Sequence, residues 1–397
     1  MGNMKTKTYY RLPAGIQDML PAECYNLQRI KRILDDRFVL AGCSCVQSAA
    51  LEFYDTYAEI KNRIPQKKMF KLTDSDGSLL VLRPDMTLAL TRMAATRMDR
   101  PDGKYYYFSN VWHYEKTGGL SIREVYQAGV EFLGVSNAFS DAQTIAFAVE
   151  CLRGIGLKDF IIDIGHVGFF KGILEGCDLP EETLEEVRLL VNAKDSVAAQ
   201  KLLLRSGADV RAADALVALP TLFGGEEALR RAERYAWNDT SRGAVQHLEK
   251  VYRLLKEFGA EKYVSFDLGT VKDLSYYSGI VFTGLTKSIG SAVLSGGRYD
   301  NLADDFGKHV PAVGFAMGLK RILIALERQG DLLPVPDADV MIVAEEGYEA
   351  AAYAKYEELT GRGVRADLFA GTADEARALC GGKTRLLSAG AGGVREI

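Results

Sequence analysis

Three short stretches of the chain place polar side chains two residues apart, the spacing that puts them on one face of a β-strand. In residues 125–133, Gln127, Gly129 and Glu131 share a face, and Tyr126, Ala128, Val130 and Phe132 share the other. In residues 82–87, Arg83, Asp85 and Thr87 alternate, and in residues 111–115, His113 and Glu115 lie on the face of Val111. A face that carries an amide and a carboxylate either meets solvent or lines a polar cavity. Gly129 between them leaves room for something to approach the backbone. Several such faces beside strongly apolar ones predict one sheet with a polar cavity on top. A free amino acid suits that cavity: its ammonium group needs acceptors, an imidazole N–H needs a carboxylate, and its own carboxylate needs a cation.

The elements that must hold these residues are legible in outline. Leu27, Ile30, Leu34 and Phe38 fall three and four apart, one stripe of an amphipathic helix over residues 23–40. Strand-like stretches at 79–82, 104–114 and 125–133 follow closely enough to predict antiparallel pairing. A helix is predicted at 141–155. A helical insertion spans about 167–258, with helices at 181–191, 226–235 and 243–258. Strand signals return at 263–268 and 278–283, and a last apolar helix at 319–326. Residues 329–338, QGDLLPVPDA, read as a linker. Beyond it, strands at 340–343, 364–369 and 385–387 alternate with helices at 349–360 and 373–379, a small α/β domain over 339–397 with parallel strands. The fold class is α+β.

Composition narrows the function classes. The 397 residues carry a net charge of −4, with 48% hydrophobic and 26% charged residues, ordinary for a soluble globular chain. A core of this size folds without disulfides or metals. Acidic balance argues against a chain whose main work is gripping nucleic acid, which needs clustered Lys and Arg. The six cysteines, Cys24, Cys43, Cys45, Cys151, Cys177 and Cys380, form no CxxC pair and read as reduced thiols. His113, His166, His247 and His309 are too scattered for a zinc site. The first residues, MGNMKTKTYYRLPAGIQ, lack the apolar core of a signal peptide. No run approaches the roughly 18 apolar residues of a membrane span. A cytoplasmic protein with no metal, cofactor or membrane partner is expected.

The motifs LRPDMT (82–87), IREVYQAGVEFLG (122–134), DLSYYSGIVF (273–282), GGRYDNL (296–302) and VGFAMGLKR (313–321) together resemble histidyl-tRNA synthetase, in that family's order and spacing. GIQDMLP (15–21) opens the similarity in the family's manner, and it runs from about residue 11 to about 328. One such motif is weak evidence; five in order are specific. The resemblance implies a class II synthetase-like antiparallel sheet flanked by helices, usually dimeric. It implies that Asp85, Thr87 and Gln127 hold a histidine ammonium, and that Glu131 and Tyr277 read its imidazole with Tyr276 beside them. Gly296 and Gly297 match a turn that lets the backbone approach the ligand.

The chain departs from that family where charge is handled. The second class motif carries Arg, one residue, then Glu; here the pair is His113 and Glu115. A neutral imidazole offers one donor where guanidinium offers a permanently charged fork. Adenylation passes through an anionic transition state, so that loss costs on the order of 3 kcal/mol, about a hundredfold in rate. The family's Arg-Gly-Leu-Asp-Tyr-Tyr reads Lys272-Asp273-Leu274-Ser275-Tyr276-Tyr277 here. Lys272 keeps the charge, so it stays in the expected histidine site, but it loses the fork. The Asp273 carboxylate disfavours an incoming triphosphate. Ala49 replaces the proline of the first class motif, and Arg321 survives from the third, after Lys320 instead of an acidic residue. His113, Glu115 and Arg321 form the expected degenerate ATP site.

Residues 339–397, opening with DADVMIVAEEGYEAA, are similar to a truncated anticodon-binding domain, which would grip tRNA poorly. Gly382-Lys383-Thr384 matches the end of a P-loop, but Arg377 occupies the earlier glycine position, so it reads as a loop. A synthetase-like chain with these losses is similar to the regulatory subunits of short-form, hetero-oligomeric ATP phosphoribosyltransferase. That resemblance implies a non-catalytic subunit of the enzyme that starts histidine biosynthesis, with a separate catalytic subunit, a second copy of itself and L-histidine as partners, and no tRNA. An active histidine–tRNA ligase and a stand-alone histidine sensor stay open as alternatives.

Overall fold

The computed structural model describes residues 11–58, 64–117, 120–177, 179–271, 276–380 and 384–397, with backbone alone at 115–117 and 120–122. The chain divides into two compact units, Met1–Leu332 and Leu333–Ile397.

The first unit opens with α1 (Pro21–Leu40). Pro21 stands in the first turn, where its missing N–H costs nothing, and Leu27, Ile30, Leu34 and Phe38 form the buried face. Then come β1 (Ser44–Cys45), β2 (Leu51–Phe53), α2 (Asp55–Ala58), β3 (Lys71–Thr73), β4 (Leu79–Leu82), α3 (Met86–Arg97), β5 (Gly103–Thr117), β6 (Leu120–Leu133), α4 (Ala138–Gly154) and β7 (Phe160–His166). The helical insertion holds α5 (Val167–Leu174), α6 (Glu181–Asn192), α7 (Ser196–Arg205), α8 (Val210–Ala218), the two-residue β8 (Phe223–Gly224), α9 (Glu226–Ala232) and α10 (Asp239–Glu257). The chain returns through β9 (Val264–Asp267), β10 (Ile280–Thr286), β11 (Leu294–Arg298) and β12 (Ala312–Gly318) to α11 (Leu319–Gln329).

Two expectations need correction. Residues 82–87 are not one strand. Asp85 is the N-cap of α3, its Oδ1 accepting the Leu88 N–H at 2.7 Å, so alternation stops there and Thr87 lies on the first helical turn. The sequence reading missed α3 altogether. β4 pairs with β2 and β3 in a separate three-stranded sheet, not with the long hairpin.

The large sheet runs β1-β5-β6-β12-β11-β10-β7-β9-β8. It is antiparallel except for β1 with β5 and β7 with β9, so the sheet is mixed. β9 follows β7 only after the whole insertion, the long connection that a parallel return requires. One face of β6 (Ala128, Val130, Phe132) joins the core with α1 and α4; the opposite face is free for a site. At the end of β11, Arg298 donates to buried Asp141 of α4 through Nη2 (2.6 Å) and Nε (3.0 Å), and His247 of α10 meets the other oxygen at 2.7 Å. This knot ties the sheet to the insertion.

In the second unit β13 (Val340–Ala344), α12 (Glu349–Gly361), β14 (Ala366–Ala370), α13 (Ala373–Leu379), β15 (Arg385–Gly390) and β16 (Gly393–Glu396) build a sheet ordered β14-β13-β15-β16. Its first three strands are parallel, as the alternating pattern predicts, and β16 adds an antiparallel edge that its exposed, mostly polar residues did not announce. α11 reaches Gln329 and ends on Gly330 in a left-handed conformation.

Candidate ligand-binding site

The free face of β6 is the floor of a cavity of about 1600 Å³. Gln127 and Glu131 line it, with Gly129 between them in the strand. The space left by Gly129 is filled from within: Tyr107, its partner on β5, lays its ring there, and a Cβ at 129 would stand 2.2 Å from that ring. Gly314 is paired with Glu131 across β12, and a Cβ there would meet Glu131 Oε2 at 1.6 Å. The carboxylate lies over β12 only because residue 314 has no side chain.

Glu131 is 1% exposed. Thr87 donates its hydroxyl to Oε1 at 2.6 Å, and Tyr299 donates to Oε2 at 2.6 Å. Burial pushes the carboxyl up from 4.5 to about 8; the Asp85 charge adds to the rise, while the two hydroxyls oppose it. Asp85, pushed up mainly by burial, accepts a long 3.4 Å contact from the Tyr276 hydroxyl. Tyr276 also packs on Tyr277 (ring centroids 4.8 Å) and faces Tyr299 (6.1 Å). The phenols of Tyr107, Tyr276 and Tyr299 are all held well above their ordinary range, first by burial.

Asp85, Thr87, Gln127, Glu131, Tyr276, Tyr277, Gly296, Gly297 and His113 therefore meet in one cavity. Gly296 and Gly297 are not in a turn. They sit inside β11, and their missing side chains admit protein rings: a Cβ at 296 would strike Phe282 at 2.4 Å, and one at 297 would strike Tyr277 at 2.7 Å. Arg83 does not join the site. It is buried and donates to the carbonyls of Ser48 (2.8 Å), Ala49 (2.6 Å) and Asn110 (2.8 Å) and to the Ser109 hydroxyl (3.1 Å), latching the first-motif segment to β5. His113 reaches the cavity beside a register shift between Trp112 and Glu115. Arg321 is not among the lining residues; its Nη1 donates to the Ala292 carbonyl at 3.1 Å. Lys272 and the Glu115 side chain lie outside the described residues, as do Gly382 and Lys383 of the discounted P-loop match.

Sequence reasoning missed Tyr107, Tyr299 and Gly314. Alternation along β5 would have placed Tyr107 with His113, but Tyr299 and Gly314 are brought to Glu131 only by strand pairing. The opposite wall comes from the insertion, where α5 and α6 contribute Lys171, Glu181, Glu182, Glu185, Glu186 and Arg188. Among the described residues no group of three or more His, Cys, Asp or Glu is placed to hold a metal ion, and no helix is long and apolar enough to cross a membrane.

A largely antiparallel sheet with helices on one face and a polar, tyrosine-rimmed cavity on the other defines a class II synthetase-like protein. The histidyl-tRNA synthetase from Nostoc sp. PCC 7120 shares this fold, with a TM-score of 0.78 at 19% identity over 96% of this chain and 92% of that one. A structure described as an ATP phosphoribosyltransferase regulatory subunit/histidyl-tRNA synthetase from Bacillus halodurans C superposes with a TM-score of 0.82 at 27% identity, over 93% of this chain and 96% of that one. The family model for histidyl-tRNA synthetase matches residues 15–322. The ATP phosphoribosyltransferase regulatory subunit of Acetivibrio thermocellus is 38% identical over 375 residues, covering 92% of this chain and 88% of that protein. That of Thermoanaerobacter pseudethanolicus is 35% identical over 359 residues, covering 90% and 94%. The chain belongs to the histidyl-tRNA synthetase family and, within it, to the ATP phosphoribosyltransferase regulatory subunits.

Proposed function

We propose that this chain is a non-catalytic regulatory subunit. It joins a separate catalytic subunit of a hetero-oligomeric ATP phosphoribosyltransferase in the cytoplasm and carries feedback by histidine at the first step of histidine biosynthesis. The observation that carries this reading is Glu131: a buried carboxyl on the cavity floor, fixed by two hydroxyls and held near neutrality. An imidazole is the ligand group that such a carboxyl suits: ionised, it accepts the ring N–H, and protonated, it donates to the bare ring nitrogen. Asp85, Thr87 and Gln127 supply acceptors for an ammonium group beside it, Tyr276 and Tyr277 close the rim, and Lys272 supplies the cation for the ligand carboxylate.

The same cavity is poorly equipped for adenylation. His113 stands where the synthetases carry an arginine, and Arg321 is engaged with a backbone carbonyl. The names of the relatives support the regulatory reading. The exposed Leu51, Phe53 and Leu72, which the register puts on one face, give the three-stranded sheet an apolar surface suited to pairing with a second copy as a class II-type dimer. The second unit is a truncated anticodon-binding domain with no tRNA to grip. Histidine acts by binding active and inhibited assemblies with different affinity.

Calorimetry on the full chain tests the site: wild type binds histidine, and Glu131→Ala loses millimolar-or-better binding. Equal binding by the variant places histidine elsewhere. Pyrophosphate exchange with histidine and ATP at a normal synthetase rate would instead establish a ligase. Failure to co-purify with or activate a short phosphoribosyltransferase would leave a stand-alone sensor.

A further inference from the structure

Two side chains of the helical insertion converge on Val271, the last described residue before the segment that leads to Tyr276 and Tyr277. Asn192, at the end of α6, accepts the Val271 N–H on Oδ1 (3.0 Å) and donates Nδ2–H to the Val271 carbonyl (2.6 Å). One amide thus pairs both backbone groups of a residue that is 3% exposed, the pairing a neighbouring strand would otherwise supply. Arg188, one turn earlier, donates Nη1–H to the same carbonyl at 3.2 Å, and Glu185 holds its guanidinium by bonds of 2.6 and 2.7 Å.

The approach to Val271 is fixed as well. Asp267 accepts the Gly269 N–H (2.9 Å) and the Thr270 hydroxyl (2.7 Å). Lys194, two residues past Asn192, adopts φ 59° and brings its ammonium to the same Asp267 carboxylate at 3.4 Å. That left-handed turn is an unfavourable conformation for a side-chain-bearing residue, and here it closes the end of α6 ahead of α7. Downstream, the Ser278 N–H donates to the Arg298 carbonyl at 2.9 Å. Tyr276 lies five residues beyond Val271, within about 17 Å of chain. In sequence, the two rim tyrosines thus lie between one anchored residue on the insertion, Val271, and one on the sheet, Ser278. α6 is also a wall of the cavity, through Glu181, Glu185, Arg188 and Leu189.

We infer that Asn192 is a positioning residue for the amino-acid site, and that through it the helical insertion and the ligand are thermodynamically linked. Ligand held under Tyr276 and Tyr277 favours the seating of α6 on Val271, and that seating favours the ligand by the same factor. The inference rests on the reading of the cavity as a histidine site.

The test uses the full chain with Asn192→Ala and Arg188→Ala, read by calorimetry with histidine and by deuterium exchange with and without it. Asn192→Ala is expected to weaken histidine binding at least tenfold, and Arg188→Ala, which loses one weaker bond, two- to threefold. Exchange should quicken in peptides carrying Val271, Tyr276 and Tyr277 and at the end of α6, while α4 stays protected. Uniformly faster exchange, α4 included, would mark Asn192 as merely structural and overturn the inference. So would wild-type affinity in Asn192→Ala. If wild type binds no histidine, the proposed function falls, and the ligand-free exchange still decides the anchor: quickening confined to those segments upholds it, and unchanged exchange removes it.

Discussion

Glu131→Gln is expected to change how the stability of the first unit depends on pH. Burial raises the Glu131 carboxyl from 4.5 to about 8. Between those values the folded chain keeps a proton that the unfolded chain has released, so stability falls as pH rises. The steepest slope for one group is about 1.4 kcal/mol per pH unit. From about pH 5.5 to about pH 7.5 the wild type should lose about 2–3 kcal/mol through this group, with little further change below about 4.5 or above about 8. Glutamine keeps the shape and one acceptor but cannot titrate, so the variant lacks that descent. Urea unfolding followed by tryptophan fluorescence measures the difference, because Trp112 and Trp237 both lie in the first unit. Other titrating groups contribute alike to both proteins and cancel in the comparison. Parallel pH profiles for wild type and variant would refute the placement of a protonated carboxyl on the cavity floor.

Tyr299→Phe removes one of the two hydroxyls that favour the charged form of Glu131; it should cost about 1–2 kcal/mol and carry the wild-type descent to higher pH, as the same urea series will register. Gly314→Ala drives a methyl into the Glu131 carboxylate, with an expected loss of about 1–3 kcal/mol by urea denaturation and at least tenfold weaker histidine binding by calorimetry. Arg298→Ala removes both guanidinium bonds from the buried Asp141 and leaves it His247 alone of those two partners; it should cost about 3–5 kcal/mol, a loss that a stability equal to wild type would contradict.

The sequence exposed β6 well, because a strand buried on one face and lining a cavity on the other must alternate, and residues 126–132 do. It exposed α1 for the equivalent helical reason. It concealed α3, because Arg83, Asp85 and Thr87 mimic alternation across a strand end, an N-cap and a helical turn. Arg83 illustrates the limit most clearly. Its spacing matches Asp85 and Thr87, yet its partners are carbonyls on residues 48, 49 and 110, which only the assembled fold brings near. Gly296 and Gly297 sit inside β11 with the rings of Phe282 and Tyr277 against them, a strand position that the resemblance to a turn did not convey. Tyr299, Gly314 and Asn192 were illegible because each acts on a partner more than 75 residues away in the chain.

The two halves of the cavity differ in how freely substitution can change them. On the floor, Glu131, Gly314, Gly129 and Tyr107 interlock through three paired strands, so replacing one collides with a neighbour on the next. His113 stands beside the register shift in the hairpin, where the ladder between Trp112 and Glu115 is already broken. A side chain there can be exchanged without forcing a strand to move. A change at 113 therefore spares the floor, where packing ties each residue to one on the next strand.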